Sequence, residues 1–298
     1  VLLIGDSDQL PPVGAGDCLR DILNSKLFPA VSLNVIFRQA QESLIVENAH
    51  RINRGEMPIL SAHDKDFFFM PRDSARAVSL LCGELCETRL PKAYGLDRLN
   101  DIQVISPSRK GETGTAALNR YLQDKLNPPS PDKKQRQVRD VVFREGDKVM
   151  QVRNDYMMTW HDADGNEGEG VYNGDIGIIR KVEIKTETFT VEFDDKIVEY
   201  DFSQSDELEH AFAVTVHKSQ GSEYPIVILP LFDAPSALLT RNMLYTAVTR
   251  ARKTVIVLGR EETVARMVQN DRKACRYTGL CTMLKAYQHK KEEKTIEP

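Results

Sequence analysis

A dense run of donors precedes a glycine in FAVTVHKSQGSEYPIVILPL, residues 212–231. Thr215, His217, Lys218, Ser219 and Gln220 lead through Gly221 to Glu223, and an apolar run follows. Glycine lets a backbone come close to a phosphodiester. Hydroxyl and amide donors position such a strand without reading its bases. Acyl transfer by His217 and Ser219 is a poor alternative, because no nucleophile elbow or matching order of acid, base and nucleophile accompanies them.

Three further stretches carry chemistry-bearing residues. In MLYTAVTRARKTVIVLG, residues 243–259, helical spacing groups Tyr245, Val248, Thr249 and Arg252 on one face and turns Arg250 away, close to the helix end. An Arg-x-Arg is commonly solvated surface, but an arginine aimed across a cleft at a nucleotide can supply roughly 10³- to 10⁵-fold in rate. In VLLIGDSDQLPPVG, residues 1–14, an apolar run ends in Gly5 and Asp6, and Pro11 and Pro12 stiffen the exit beyond Gln9. Gln9 can donate and accept, which suits a phosphate oxygen or a water attacking it; the stretch reads equally as an ordinary turn. Arg38, at the end of the apolar run SLNVIF, offers a fork of donors that matches phosphate oxygens, and gains weight only in company.

The elements that must hold these residues alternate. VLLIG, SLNVIF, DIQVIS, PIVILPL and TVIVLG are short apolar runs, each followed by a helical pattern, which predicts a mostly parallel α/β sheet with helices on its faces. Such sheets bind ligands at the carboxyl ends of their strands, where the polar residues of each run are expected. Between residues 142 and 205 the texture turns β-rich, with turn signals at Asn173-Gly174 and Asp194-Asp195, predicting a small antiparallel β-barrel inserted into the α/β domain.

Composition bounds the rest. The 298 residues are 41% hydrophobic, enough for real cores, and no apolar run approaches a membrane span, so a soluble chain with no membrane partner is expected. A formal net charge of −4 gives no global reason to expect nucleic acid, so that inference rests on local sites. The basic cluster Lys133, Lys134, Arg136 and Arg139 sits among prolines and reads as a solvated loop. Five cysteines and no charged-then-apolar leader fit a reducing, cytoplasmic compartment. Cys82 and Cys86 lie one helical turn apart, which suits a buried helix face better than zinc, since no second ligand pair has zinc spacing; no metal site is expected.

Taken together and in order, these stretches resemble the later motifs of superfamily 1 DNA helicases, over nearly the whole chain. GDSDQLPPVG resembles motif III, VIFRQ motif IV, ISPSRKGETGTAALNRYLQ the segment after it, TVHKSQGSEYPIVIL motif V and LYTAVTRAR motif VI. The RecD-like group, which includes stand-alone bacterial RecD-type helicases and the exodeoxyribonuclease V alpha subunit, is the nearest in pattern. There a small β-barrel interrupts the second RecA-like motor domain, of P-loop NTPase type.

The resemblance implies a division into a remnant of the first RecA-like domain (1–30), the second in two parts (31–141 and 206–290), the inserted barrel (142–205) and a tail (291–298). It implies that Gln9 senses the γ-phosphate of ATP from the first domain while Arg38 and Arg250 reach it from the second, with Gly221 and Glu223 near the nucleotide. Thr215, His217 and Ser219 would touch single-stranded DNA, as would Ser108, Lys110, Thr113 and Thr115, and Arg153 and Asn154 on the barrel. The implied activity is 5′ to 3′ translocation driven by ATP and Mg²⁺, in recombination and repair with partner proteins of those processes. No GxxxxGK[ST] string occurs, nor the acidic magnesium motif that precedes motif III in the family. The chain is therefore expected to be a C-terminal fragment that binds no cofactor tightly and is inactive alone. A binding module without motor activity, the helicase half of a conjugative relaxase and an RNA-directed relative are the rival readings.

Overall fold

The structure, a computed structural model, describes residues 1–11, 14–32, 42–62, 64–232, 234–271 and 278–296, with side chains as far as 288. Arg38 and the expected strand from Leu33 onward lie outside the described residues.

The chain opens with α1 (Cys18–Ser25) and α2 (Leu44–Asn53), then β1 (Phe67–Pro71). Helix α3 (Ala75–Glu84) runs through a widened turn at Leu85–Arg89 into α4 (Leu90–Tyr94), and β2 (Ile102–Ser106) and α5 (Thr115–Leu126) follow. The antiparallel strands are β3 (Gln135–Val138), β4 (Val141–Arg144), β5 (Lys148–Gln151), β6 (Asp155–His161), β7 (Glu167–Val171), β8 (Ile176–Glu183), β9 (Thr188–Phe193), β10 (Lys196–Asp201) and β11 (Leu208–His210). The chain then returns through β12 (Ala213–Thr215), β13 (Tyr224–Leu231), α6 (Arg241–Val248), β14 (Ala251–Gly259), α7 (Glu261–Gln269) and α8 (Leu280–Ile296).

Among the described residues β1, β14, β13, β2 and β12 form one sheet in that order, with every pair parallel. Covered faces explain why the central runs are apolar throughout rather than alternating. Ile226 and Ile228 pack with α3 and α5, whereas Val227 and Leu229 pack with α2, α6 and α7. Each of these four buried side chains contributes about 1.5–3 kcal/mol relative to exposure. Helix starts are fixed locally: Ser43 accepts from the Val46 amide, Ser74 from Ala77 and Thr240 from Met243. The Asp66 carboxylate adds bonds from the Leu44 and Ile45 amides at 2.8 and 3.1 Å.

The antiparallel strands order as β11-β5-β8-β9-β10-β6-β7, with β3 and β4 as a separate pair. Phe143, Phe189, Val191, Val198 and Tyr200 are central to their core. Asp194 and Asp195 make the two-residue connection between β9 and β10, with Asp194 at φ 47°.

Two expectations are corrected. Residues 1–5 form no strand: Val1 is 124% and Ile4 89% exposed, because among the described residues no neighbouring strand pairs with them. The basic stretch around Arg136 is no free loop, since Gln135–Val138 pairs with Val141–Arg144 and the Arg136 guanidinium lies over the Phe202 ring.

Candidate nucleotide and nucleic-acid interface

The residues singled out above divide between two edges of the parallel sheet. The loop from β12 crosses from the carboxyl edge, where Thr215 pairs with Ser106, to the amino end of β13 at Tyr224. Arg250 likewise immediately precedes the amino end of β14. The expectation that the polar residues all fall at carboxyl ends is therefore corrected: the crossing loop brings Gly221, Ser222 and Glu223 to the opposite edge, beside Arg250.

At that amino edge the segment Asp6–Leu10 is strapped to α6. The Leu10 amide donates to Thr246 Oγ1 at 2.8 Å, and the Leu10 carbonyl accepts from Gln220 Nε2 at 2.7 Å. Tyr245 donates to Asp6 Oδ2 at 2.9 Å, and Asn53 Nδ2 reaches Asp8 Oδ2 at 2.7 Å. Gln9 is half-buried and donates to Asp6 Oδ2 at 3.2 Å, while its carbonyl accepts from Asn242 Nδ2 at 3.4 Å.

Arg250 is only 6% exposed. Nε donates to the Thr246 carbonyl at 3.1 Å, Nη1 to the Ser222 carbonyl at 3.2 Å and Nη2 to Thr249 Oγ1 at 3.3 Å. Burial lowers its pKa, and Glu223 and Asp6 oppose that shift. A guanidinium has five N–H groups, so these bonds leave donors for an anion. Glu223 is exposed and pairs with Arg252 at 2.9 Å. Arg252 is not on the helical face expected for it: α6 ends at Val248, where the Thr249 amide closes on the Ala247 and Tyr245 carbonyls, and Arg252 belongs to β14. Gly221 sits at φ +84° with nothing within 4 Å of a Cβ position, so backbone conformation rather than crowding calls for glycine there.

At the carboxyl edge the loop between β2 and α5 meets the loop after β12. Ser106 Oγ donates to the Thr113 carbonyl at 2.8 Å and Ser108 Oγ to the Lys110 carbonyl at 2.8 Å. A Cβ on Gly114 would lie 2.4 Å from the Lys110 carbonyl oxygen, so only glycine permits this turn. Ser108, Thr113, Thr115 and Ser219 are buried, and Ser219 Oγ donates to the Val216 carbonyl at 2.8 Å. Ser108 and Ser219 commit their hydroxyl donors to loop carbonyls and brace the loops, while Thr115 lines a small cleft with Thr215. Lys110 and His217 are exposed and Thr215 is half-buried, so these remain at the surface.

On the antiparallel module Arg153 and Asn154 are both exposed. Arg153 pairs with Asp206 at 3.1 Å, and Asn154 holds the Asn173 amide through Oδ1 at 2.9 Å. Asn119 on α5 is a positioning residue that sequence reading missed: Nδ2 donates to the His210 and Ala213 carbonyls and Oδ1 accepts from the Ala213 amide, all within 2.9 Å. An asparagine inside an amphipathic helix gives no signal of such a clamp. Among the described residues no group of three or more His, Cys, Asp or Glu could hold a metal ion, and no helix is long and apolar enough to cross a membrane.

A five-stranded parallel sheet covered on both faces, interrupted by an antiparallel module and carrying an arginine beside a crossing loop, is the α/β architecture expected of a RecA-like domain of the P-loop NTPase type. Residues 118–193 match the SH3 domain of ATP-dependent RecD-like DNA helicases, 210–258 the UvrD-like helicase C-terminal domain and 1–68 an AAA domain. The chain is 36% identical over 253 residues to the ATP-dependent RecD2 DNA helicase of Deinococcus radiodurans, a match covering 85% of this chain and 31% of that protein. It is 28% identical over 298 residues to the RecBCD enzyme subunit RecD of Mycobacterium tuberculosis, covering 94% of this chain and 48% of that one. A solved structure of Pif1 helicases at forked double-stranded DNA is similar over 96% of this chain and 65% of its own, at 20% identity and a TM-score of 0.49. The chain is similar to the RecD-like helicases, matching their SH3 and UvrD-like C-terminal domains, and spans less than half the length of these two curated relatives.

Proposed function

We propose that this chain forms the second motor domain, with part of the first, of an ATP-dependent DNA helicase that translocates 5′ to 3′ on single-stranded DNA in recombination and repair. The observation that carries this reading is the strapping of Asp6–Leu10 onto α6 beside the buried Arg250. The segment that carries Gln9 and the desolvated Arg250 guanidinium both bond to Thr246, and an amide and a guanidinium are the parts a phosphoryl-transfer cleft needs from its walls.

In this reading Gln9, Arg250 and Arg38 serve the γ-phosphate of ATP, and Gly221 and Glu223 lie near the sugar. Thr215, His217, Ser219, Ser108, Lys110, Thr113, Thr115, Arg153 and Asn154 line the DNA path, with Ser108 and Ser219 also bracing its loops. Bound ATP with Mg²⁺ supplies the free energy for movement; these residues orient phosphate oxygens and neutralise developing charge. We assign residues 1–30 to the first motor domain, 31–141 and 206–290 to the second and 142–205 to the inserted barrel, with 291–298 as a tail. The compartment is cytoplasmic, and the protein partners are those of recombination or repair.

The test is Arg250→Ala in the product of the full natural coding sequence. Nucleotide binding should persist, while DNA-stimulated hydrolysis falls by roughly 10³- to 10⁵-fold. Unchanged hydrolysis overturns the assignment.

A further inference from the structure

We propose that Arg109 and Lys218 form a site for a backbone phosphate of single-stranded DNA, and that the Glu209 carboxylate fills this site until DNA displaces it. The inference rests on the single-strand reading above and adds to it two contact residues and an autoinhibitory one.

Three separate segments converge here. Arg109 Nη2 lies 2.9 Å from one Glu209 oxygen and Lys218 Nζ 2.8 Å from the other. Arg109 leaves the carboxyl end of β2, Lys218 follows β12, and Glu209 comes from β11 of the antiparallel module. Arg109 is held by a bond from the Ala116 amide to its carbonyl at 3.1 Å, and Lys218 by one from its amide to Thr215 Oγ1 at 3.3 Å. The three charged residues share a small cleft with Thr115, Asn119 and Thr215.

A carboxylate presenting one oxygen to each of two cations has the geometry that two phosphate oxygens would take. Burial pushes the Glu209 carboxyl up, but Lys218 and Arg109 outweigh it and hold it below its ordinary value, so it is an anion at neutral pH. Arg109 is 64%, Glu209 39% and Lys218 25% exposed at the side chain, so a strand can reach the cations from solvent. Pairs this exposed are weak. A phosphodiester, backed by neighbouring contacts along the strand, can therefore take the carboxylate's place.

The experiment follows binding of a fluorescein-labelled oligothymidylate to the 298-residue chain by anisotropy, across a salt series, with thermal unfolding as the check on folding. Glu209→Gln should tighten binding about three- to tenfold, the scale of freeing an exposed ion pair, and steepen the salt slope by about one to two. Adding Lys218→Ala to Glu209→Gln should remove most of that gain. Glu169→Gln, a charge-matched change on exposed β7, should leave affinity unchanged. If the wild type binds and Glu209→Gln does not improve on it, or Glu169→Gln improves it equally, the displaced-carboxylate site is overturned while the single-strand reading stands. If neither the wild type nor any variant binds, the single-strand reading falls and this inference with it.

Discussion

Tyr245 donates its hydroxyl to Asp6 Oδ2 at 2.9 Å, joining helix α6 to a segment 239 residues earlier. Burial first, then the Asp6 carboxylate, push the Tyr245 phenol well above its ordinary value, so it stays protonated and donating throughout the neutral range. With the Leu10 amide on Thr246, this bond decides that the Gln9 backbone lies along α6 rather than in solvent.

Thr246→Val keeps shape and removes the acceptor of the Leu10 amide. The expected cost is about 1–3 kcal/mol, the price of an unpaired donor at a part-buried site. Tyr245→Phe, nearer solvent, should cost about 1 kcal/mol. Urea unfolding measures both, and a null effect for Thr246→Val would mean that the strap contributes nothing to the folded chain.

Asp147 is fully buried and accepts from Gln123 Nε2 at 2.6 Å, Asn127 Nδ2 at 2.7 Å and the Arg144 amide at 2.7 Å, with His210 Nε2 at 3.1 Å. It joins α5 to the antiparallel strands. Asp147→Ala strands these donors and should lower stability by about 3–5 kcal/mol, read as a fall in the denaturant midpoint.

Lys148 gives a pH dependence of known sign. Its ammonium is buried and donates to the Leu99 carbonyl and to Gln103 Oε1 at 2.9 Å, and burial lowers its pKa from 10.5 to about 8. Below about pH 8 it is charged whether folded or unfolded; between there and 10.5 the folded chain has lost the proton that the unfolded chain still holds. Stability should therefore rise with pH over that window, by up to ~3 kcal/mol relative to Lys148→Met. Cys86, whose thiol burial pushes up to about 12 against the opposing charge of Lys148, works in the opposite sense above 9.0 in both proteins. Unfolding curves of the pair at pH 7 and 10 provide the comparison, and parallel curves would contradict it.

Alkylation distinguishes the thiols. Cys82 and Cys86 are buried and burial pushes both upward, whereas Cys18 is exposed. Native iodoacetamide treatment followed by peptide mass spectrometry should label Cys18 and spare Cys82 and Cys86 until denaturant is added.

The central strands β2, β13 and β14 were legible because burial on two faces demands unbroken apolar runs, a pattern that needs no tertiary knowledge. The donor-rich stretch after β12 was legible as a loop leading into a buried strand, because polar groups beside a glycine interrupt the apolar runs on either side. Which of those groups face outward was not. Ser219 and Thr215 are the same kind of donor four residues apart, yet one is at 0% exposure and the other lies half-buried at a strand end. Strand β3, with Gln135, Arg136 and Gln137, has no apolar alternation to announce it and exists because β4 pairs with it. The meeting of Glu209 with Arg109 and Lys218 joins residues from three segments, and exposed charges carry no periodicity to foretell it.

Only Ala211 and Phe212, both buried, separate β11 of the antiparallel module from β12 of the parallel sheet. Asn119 pins the carbonyls on either side of them to α5. So short and so fully clamped a joint has no slack. A turn of the antiparallel module would act on Thr215 as a crank acts on its shaft, and a load on the carboxyl edge of the parallel sheet would be felt by the module in return.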